Sequence, residues 1–287
     1  MKIRLGTRKS KLAVVQTNMV ADAIKSIFPD IQIEIVPIIT KGDIILNKPL
    51  SSFGGKGVFV SEIERALSVG EIDAAVHSAK DLPIILDEKS EISSVLQRGD
   101  YRDILVTVKD KPFACNSSYT VGTGSLRRRL GLKRIYPDVK FADIRGNVDT
   151  RLRKLSDGEY DAVVLAAAGL ERLGLLALEG FDFTPFDYKE LLPAACQGII
   201  AVESRKNDYV TPLLKAINHT ETWYCFETER EALKLLNGDC TLPVAVYSEI
   251  LCDEITLTVT KDNVNFQSLT AKTAERLSLA ERVVSLL

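Results

Sequence analysis

Ile72-Asp73-Ala74-Ala75-Val76-His77-Ser78-Ala79-Lys80-Asp81 sets the architecture. Ile72 to Val76 reads as a short buried strand that ends in a run of polar side chains where the chain has to turn. Upstream, a strand over Ile3 to Gly6 leads through a polar turn into a helix. Its apolar positions Leu12, Val15, Met19, Ala23 and Ile27 have helical spacing, with Ser10 as cap and Pro29 as stop. Ile31 to Ile39, rich in β-branched residues, predicts a second strand. A Gly-rich loop over Ser51 to Gly57 and a helix from about Val58 to Val69 complete the approach to Ile72. This β-α-β alternation implies a mainly parallel sheet with helices on both faces.

The pattern restarts after Asp100. A strand over Ile104 to Val108 is followed by the turn Gly122-Thr123-Gly124, a helix from Ser125 and a strand over Val139 to Asp143. A helix over Val148 to Ser156 and a strand over Ala162 to Ala167 follow. A second α/β unit on the same plan is expected. Beyond about Pro212 the texture changes to a helix (Glu227 to Leu236), two strands (Val244 to Ile250, Ile255 to Thr260) and a final helix from about Lys272, a small α+β module.

The chain has 287 residues, 46% of them hydrophobic and 26% charged, with 37 Lys and Arg against 39 Asp and Glu. That composition excludes disordered, collagen-like and disulfide-framework classes, and at roughly 100–200 residues per domain the length suits two domains or three. Met1 to Leu5 runs into Thr7-Arg8-Lys9-Ser10 without the apolar core of a signal peptide. The longest apolar run, Ala162 to Leu170, is about half of the ~20 residues that a membrane span needs. Cys115, Cys196, Cys225, Cys240 and Cys252 form no C-x-x-C pair, so no zinc site is expected and a reducing cytoplasm fits. The net charge of −2 hides an uneven distribution: Val121 to Leu155 holds ten basic and three acidic residues, a local +7. Charge of that sign points to nucleic acid, phosphate or carboxylate as partner.

Three stretches share a strand, a polar or glycine-rich turn and a helix start: Thr7-Arg8-Lys9-Ser10, Gly122 to Arg128, and Arg145-Gly146-Asn147. In open α/β sheets ligands gather at the carboxyl ends of strands, where helix N-terminal amides face an anion. Arginines in the first turn add forks that match carboxylate or phosphate. Nucleic acid is disfavoured, because only Tyr136 and Phe141 interleave the basic segment and no helix-turn-helix, zinc-finger or RNP pattern occurs. His77-Ser78-Ala79-Lys80-Asp81 gathers a base, a hydroxyl, an ammonium and a carboxylate; in an extended segment Lys80 and Asp81 would point opposite ways. Phe53-Gly54-Gly55-Lys56-Gly57 lacks Walker spacing and reads as a connection or a lid. Cys240 sits in the turn Gly238-Asp239-Cys240-Thr241-Leu242-Pro243, as a small apolar residue or as a modified thiol.

Taken together these segments resemble the porphobilinogen deaminase (hydroxymethylbilane synthase) family over nearly the whole chain. The carriers are Thr7 to Ala13, Thr40-Lys41-Gly42-Asp43, Gly54 to Val60, His77 to Pro83 and Gly122 to Arg128. They continue with Arg145 to Leu152, Ala168 to Gly174, Gln197-Gly198 and Gly238 to Pro243, in the family's order. The resemblance implies a transferase of tetrapyrrole (haem) biosynthesis that condenses four porphobilinogen molecules head to tail into hydroxymethylbilane and releases ammonia at each addition. It also implies a covalent dipyrromethane cofactor, joined by a thioether to Cys240, and Asp81 as the catalytic carboxylate. Arg8, Ser10, Ser78, Lys80, Thr123, Ser125, Arg127, Arg128, Arg145, Arg151 and Arg172 would hold acetate and propionate groups. Phe59 and Gln197 would lie beside the pyrroles, with Lys56, Gly124, Gly146 and Asn147 completing the binding set. Asp239 and Gly124 depart from the glycine and serine common at those positions.

The physical and family readings reinforce each other. Each pyrrole brings two carboxylates, so the growing product is a polyanion suited to forked guanidinium donors. Loss of ammonia leaves a cationic azafulvene, which a buried Asp81 would stabilise while exchanging a proton with the departing amine. The expected protein is a cytoplasmic monomer that binds neither nucleic acid nor membrane. Two α/β domains like type II periplasmic binding proteins (1–97 with 196–212, and 98–195) would form a cleft, and an α+β module (213–287) would present Cys240 to it. The rival classes are a non-catalytic two-lobed α/β protein for a small carboxylate or phosphate, and a nucleic-acid-binding protein using the +7 segment.

Overall fold

The computed structural model describes residues 1–40, 60–111, 113, 118–238 and 242–287. The expected Gly-rich loop, Lys56, Phe59, Asp239 and Cys240 lie outside these residues. In chain order, β1 (Lys2–Arg8), α1 (Lys11–Ile27), β2 (Gln32–Ile38), α2 (Ser61–Ser68), β3 (Ala74–Ser78) and β4 (Ser90–Val95) come first. Then follow β5 (Asp103–Val108), β6 (Thr120–Gly122), α3 (Leu126–Ile135), β7 (Lys140–Ala142), α4 (Val148–Ser156), β8 (Ala162–Ala166), α5 (Ala167–Arg172) and β9 (Phe181–Pro185). The chain continues with β10 (Ile200–Arg205), α6 (Thr211–Ala216) and α7 (Thr220–Leu235), and ends with β11 (Ala245–Leu251), β12 (Glu254–Thr260), β13 (Phe266–Lys272) and α8 (Arg276–Val284). Two compact units result, Met1–Gly99 with Ile199–Glu227 and Asp100–Gly198 with Thr228–Leu287.

The first unit is a five-stranded sheet of order β2-β1-β3-β10-β4. β1 is parallel to β2 and β3, whereas β10 is antiparallel to both β3 and β4, so the sheet is mixed rather than mainly parallel. Alternation along β1 and β3 sends Ile3, Leu5, Ala74 and Val76 to one face, against Val20, Ala21 and Ile24 of α1 and Leu214 of α6. Ala75 faces the other way, toward Ile63, Ala66 and Leu67 of α2. The buried face of α1 is offset from the expected stripe. Gln16, Thr17, Val20, Ala21 and Ile24 are inside, while Met19 and Ile27 are exposed. Two polar residues displace the apolar pattern because each has a partner: Gln16 bonds to Ser78, and Thr17 Oγ1 donates to the Ala13 carbonyl at 2.8 Å.

The second unit repeats the plan with order β7-β6-β8-β5-β9. β6 is parallel to β7 and β8, and β5 is antiparallel to β8 and β9. Leu105, Val121, Ala162 and Val164 face Leu132 of α3. Ile104, Val106, Val163 and Leu165 face Leu152 and Leu155 of α4. The same unit carries the antiparallel sheet β11-β12-β13, with Leu279, Ala280 and Val283 of α8 buried. Tyr247 of β11 stacks on Tyr101 (centroids 4.2 Å apart) and Tyr188 (5.3 Å) beside Leu192 and Ala245.

A buried carboxylate ties this unit together. Glu229 of α7 accepts bonds from the Cys196 N–H (2.5 Å), the Ser248 N–H (2.8 Å) and Ser248 Oγ (2.9 Å). Cys196 and Gly198 both have positive φ, +60° and +88°, so the segment leading to β10 turns sharply at the point where Glu229 holds it. Glu229→Ala would strand these buried donors. We expect it to cost about 3–5 kcal/mol, read as a lowered urea midpoint.

Candidate functional site

Parallel pairing of β1 with β3 brings their carboxyl ends to one edge of the first unit. Ser10 caps α1 there, its Oγ accepting from the Ala13 N–H at 3.3 Å. Ser78 ends β3 and exchanges bonds with Gln16 at 3.0 and 3.1 Å. Arg8 and Lys80 are half-buried. Asp81 is exposed, not buried. Ala79–Asp81 forms a 3-10 turn rather than an extended segment, which turns Ala79 inward and Asp81 outward and replaces the expected alternation of Lys80 and Asp81.

Beneath this edge lies a polar cluster inside the sheet. His77 Nε2 is 3.0 Å from Glu203 Oε2, and Ser90 Oγ donates to Glu203 Oε1 at 2.5 Å, with His77 and Glu203 both buried. Burial alone would raise the Glu203 pKa, but the bonds from His77 and Ser90 outweigh it and hold the carboxyl below its usual range.

In the second unit the parallel strands β6, β7 and β8 end at one edge, and each runs into a helix start. Thr123 is buried; its N–H donates to the Ala142 carbonyl at 2.9 Å and its Oγ1 accepts from the Ser125 N–H at 3.2 Å. Ser125 caps α3. Gly124 is exposed. Asn147 caps α4, its Oδ1 accepting from the Thr150 N–H at 2.9 Å and from Thr150 Oγ1 at 2.8 Å. Gly146 has φ +108°, and a Cβ there would lie 2.7 Å from Thr150 Cγ2, so this turn needs glycine.

Because β5 is antiparallel to β8, its first residue, Asp103, pairs with the last residue of β8, Ala166, and so reaches the same edge. Asp103 is fully buried. Its Oδ2 accepts from Arg127 Nη2 (2.7 Å), and its Oδ1 accepts from Arg128 Nη2 (2.7 Å), Arg128 Nε (3.1 Å) and Gln197 Nε2 (2.9 Å). Burial opposes ionisation of Asp103, but Arg127 and Arg128 prevail and hold its carboxyl far below the usual range. Arg127 Nη1 also donates to the Leu192 carbonyl (2.6 Å) and Arg128 Nη1 to the Val164 carbonyl (2.9 Å).

Much of the +7 segment is therefore used internally rather than presented as one charged wall. Arg129 pairs with Asp143 at 2.6 Å, Lys154 lies 3.6 Å from Glu159, and Arg134 donates to backbone carbonyls of Lys189 and Glu190 and covers the Phe266 ring. Arg151 Nε donates to the Gly146 carbonyl at 2.9 Å, and Arg172 Nη2 to the Gly198 carbonyl at 2.5 Å. Arg145 is half-buried and has no hydrogen bond or ion pair among the described residues.

Gln16, Asp103 and Glu203 were not singled out by the sequence. The available signal was a lone polar or acidic residue in an apolar run, as in Ile200-Ala201-Val202-Glu203. Among the described residues no group of three His, Cys, Asp or Glu side chains is placed to hold a metal, and no helix is long and apolar enough to cross a membrane.

Two α/β units of one plan, each with a side-chain-capped helix start and cationic side chains at the carboxyl edge of its sheet, place the chain among α/β proteins whose strand ends present donors for anions. Within that class the chain belongs to the porphobilinogen deaminase family. The family model described as "Porphobilinogen deaminase, dipyromethane cofactor binding domain" matches residues 3–212, and "Porphobilinogen deaminase, C-terminal domain" matches residues 223–282. A porphobilinogen deaminase of Acetivibrio thermocellus is 46% identical over 258 residues, covering 90% of this chain and 87% of that protein. One of Rickettsia akari is 45% identical over 251 residues, covering 87% and 83%. Among solved structures, the Bordetella pertussis BvgS periplasmic VFT2 domain aligns over 79% of this chain and 92% of its own length, at 17% identity and a TM-score of 0.46.

Glu203 contributes stability above the ordinary glutamate pKa of about 4.3, which is lost as pH falls through its lowered folded value. Glu203→Gln should therefore lower stability at pH 7 and flatten the acid limb of the urea midpoint below about pH 4.

Proposed function

We propose that the chain condenses four porphobilinogen molecules head to tail into hydroxymethylbilane, releasing ammonia at each addition, on a dipyrromethane cofactor held by Cys240. The family match across both of its domains carries this conclusion. The donor set fits a dipyrrole bearing acetate and propionate groups. Arg127 and Arg128 form five hydrogen bonds within the protein, fewer than two guanidinium groups can donate, and Arg145 is half-buried without a partner among the described residues. The flanks of the attachment turn are held on both sides: the Gly238 N–H donates to the Leu233 carbonyl at 2.9 Å, and Asn263 Nδ2 donates to the Pro243 carbonyl at 2.6 Å.

When bound, the dipyrromethane supplies the nucleophilic pyrrole carbon that starts the chain. The protein's own residues bind, orient and balance charge. Arg127, Arg128, Arg145, Arg151 and Arg172 hold carboxylates in the second unit, with the amides of the turns capped by Ser125 and Asn147. Arg8, Ser10, Ser78 and Lys80 do so in the first. Asp81, presented by the 3-10 turn, offsets positive charge as it develops on the substrate and exchanges a proton with the departing amine. Its exposure in the free protein leaves it accessible to incoming substrate. The enzyme acts as a cytoplasmic monomer, a setting with which five scattered cysteines lacking a C-x-x-C pair agree.

Intact-mass spectrometry of the purified holoprotein should show an excess of two pyrrole units over the sequence mass, absent in Cys240→Ser. A protein with no adduct and no porphobilinogen consumption would instead be a binding protein. Asp81→Asn should keep the adduct and slow turnover by about 100-fold or more; a near-normal rate would move the proton transfer to another group.

A further inference from the structure

We infer that Asp103 is a positioning residue for the reaction: one buried carboxylate that fixes the Arg127 and Arg128 guanidinium groups in place and leaves them a surplus charge for the ligand's carboxylates. The inference rests on the function proposed above and assigns a role to a residue outside the expected binding set.

The charge count carries the first step. One cation balances a buried carboxylate, and a second buried cation adds a desolvation cost that the pair itself does not repay. Here Asp103 faces two arginines, both largely buried at 4% and 8% exposure, so the cluster keeps one positive charge in poor contact with water. That surplus has an account if an anion completes the cluster.

Donor geometry carries the second step. Arg128 grips Asp103 Oδ1 through Nε and Nη2, and Arg127 takes Oδ2. Gln197 adds a neutral donor to Oδ1 and is itself anchored to the Tyr101 carbonyl at 2.8 Å. The two Nη1 atoms are tied to backbone carbonyls of Leu192 and Val164. Each guanidinium plane is thus fixed at two or more points while N–H groups remain, among them Arg127 Nε, which has no hydrogen bond among the described residues. Fixing the planes in advance removes side-chain ordering from the cost of holding a carboxylate. Without Asp103 the two cations would repel each other and lose their shared reference point at the start of β5.

The test is a cycle between Asp103→Asn and the adduct, with Cys240→Ser as the adduct-free background. Asp103→Asn should lower the Tm of the adduct-bearing protein more than that of the adduct-free one, so the Tm gain from the adduct falls below the wild-type gain. Asp103→Glu, which keeps the charge, should restore part of the difference. An equal or larger adduct-dependent gain in Asp103→Asn would make Asp103 an element of the fold alone and overturn the inference. If Asp103→Asn does not fold, Gln197→Ala keeps every charge and loosens the carboxylate. In the Cys240→Ser background it should reduce the Tm gain from citrate, a polyanion with no pyrrole for Gln197 to touch; an unchanged gain overturns the inference. If wild type carries no adduct, the proposed function fails separately. Citrate is then titrated onto wild type and Asp103→Asn, or Gln197→Ala if that variant does not fold. A smaller citrate-dependent Tm gain in the variant supports the role of Asp103 toward anions, and an equal or larger gain overturns it.

Discussion

Each five-stranded sheet contains one strand that runs against its neighbours, and the rest of the structure depends on where that strand begins. β5 enters the second sheet antiparallel to β8, so its first residue arrives at the edge where β6, β7 and β8 end. A carboxylate at that position meets the first turn of α3, and Asp103 becomes the point on which Arg127 and Arg128 converge. β10 does the equivalent in the first sheet, pairing Ile200 with Ser78 and carrying Glu203 to His77. Reversing one strand gives each unit an ionisable group inside its sheet, a place where an unpartnered charge would be prohibitive.

Local signals made part of this legible in the sequence. The helix over Val148 to Ser156 has the bounds that Gly146-Asn147 implies, because the cap and the left-handed glycine act within a few residues. Elements fixed by pairing were not legible. β13 is an edge strand of alternating partly exposed residues, and its register with β12 supplies what its composition lacks. α7 starts at Thr220, well before the expected Glu227, since its buried residues include Thr222, Thr228 and Glu229 and make no apolar stripe. The cap Ser10 and the helix start at Ser125 could be read directly, whereas Asp103, Gln16 and Glu203 acquire their partners only after distant strands pair.

The electrostatics changed most between sequence and structure. A segment with a net +7 suggests a broad basic surface, but Arg129, Arg134 and Lys154 are engaged with carboxylates or carbonyls. What remains is a small number of directed donors set by backbone turns. Directed donors discriminate by geometry and are screened less by salt than a diffuse basic face.

Strand order also has a consequence for how the chain is made. Among the described residues β4 pairs only with β10, and β10 lies between β3 and β4. Until Ile200–Arg205 has left the ribosome, β4 has no strand to join and one side of β3 is open. The whole of β5 to β9 must be synthesised in between, a delay of about 5–20 s at ordinary elongation rates. The first strands to emerge thus close their sheet only after all five strands of the second sheet have been made. Factors that shield nascent chains would meet an open strand edge here for longer than in a contiguous domain of the same size.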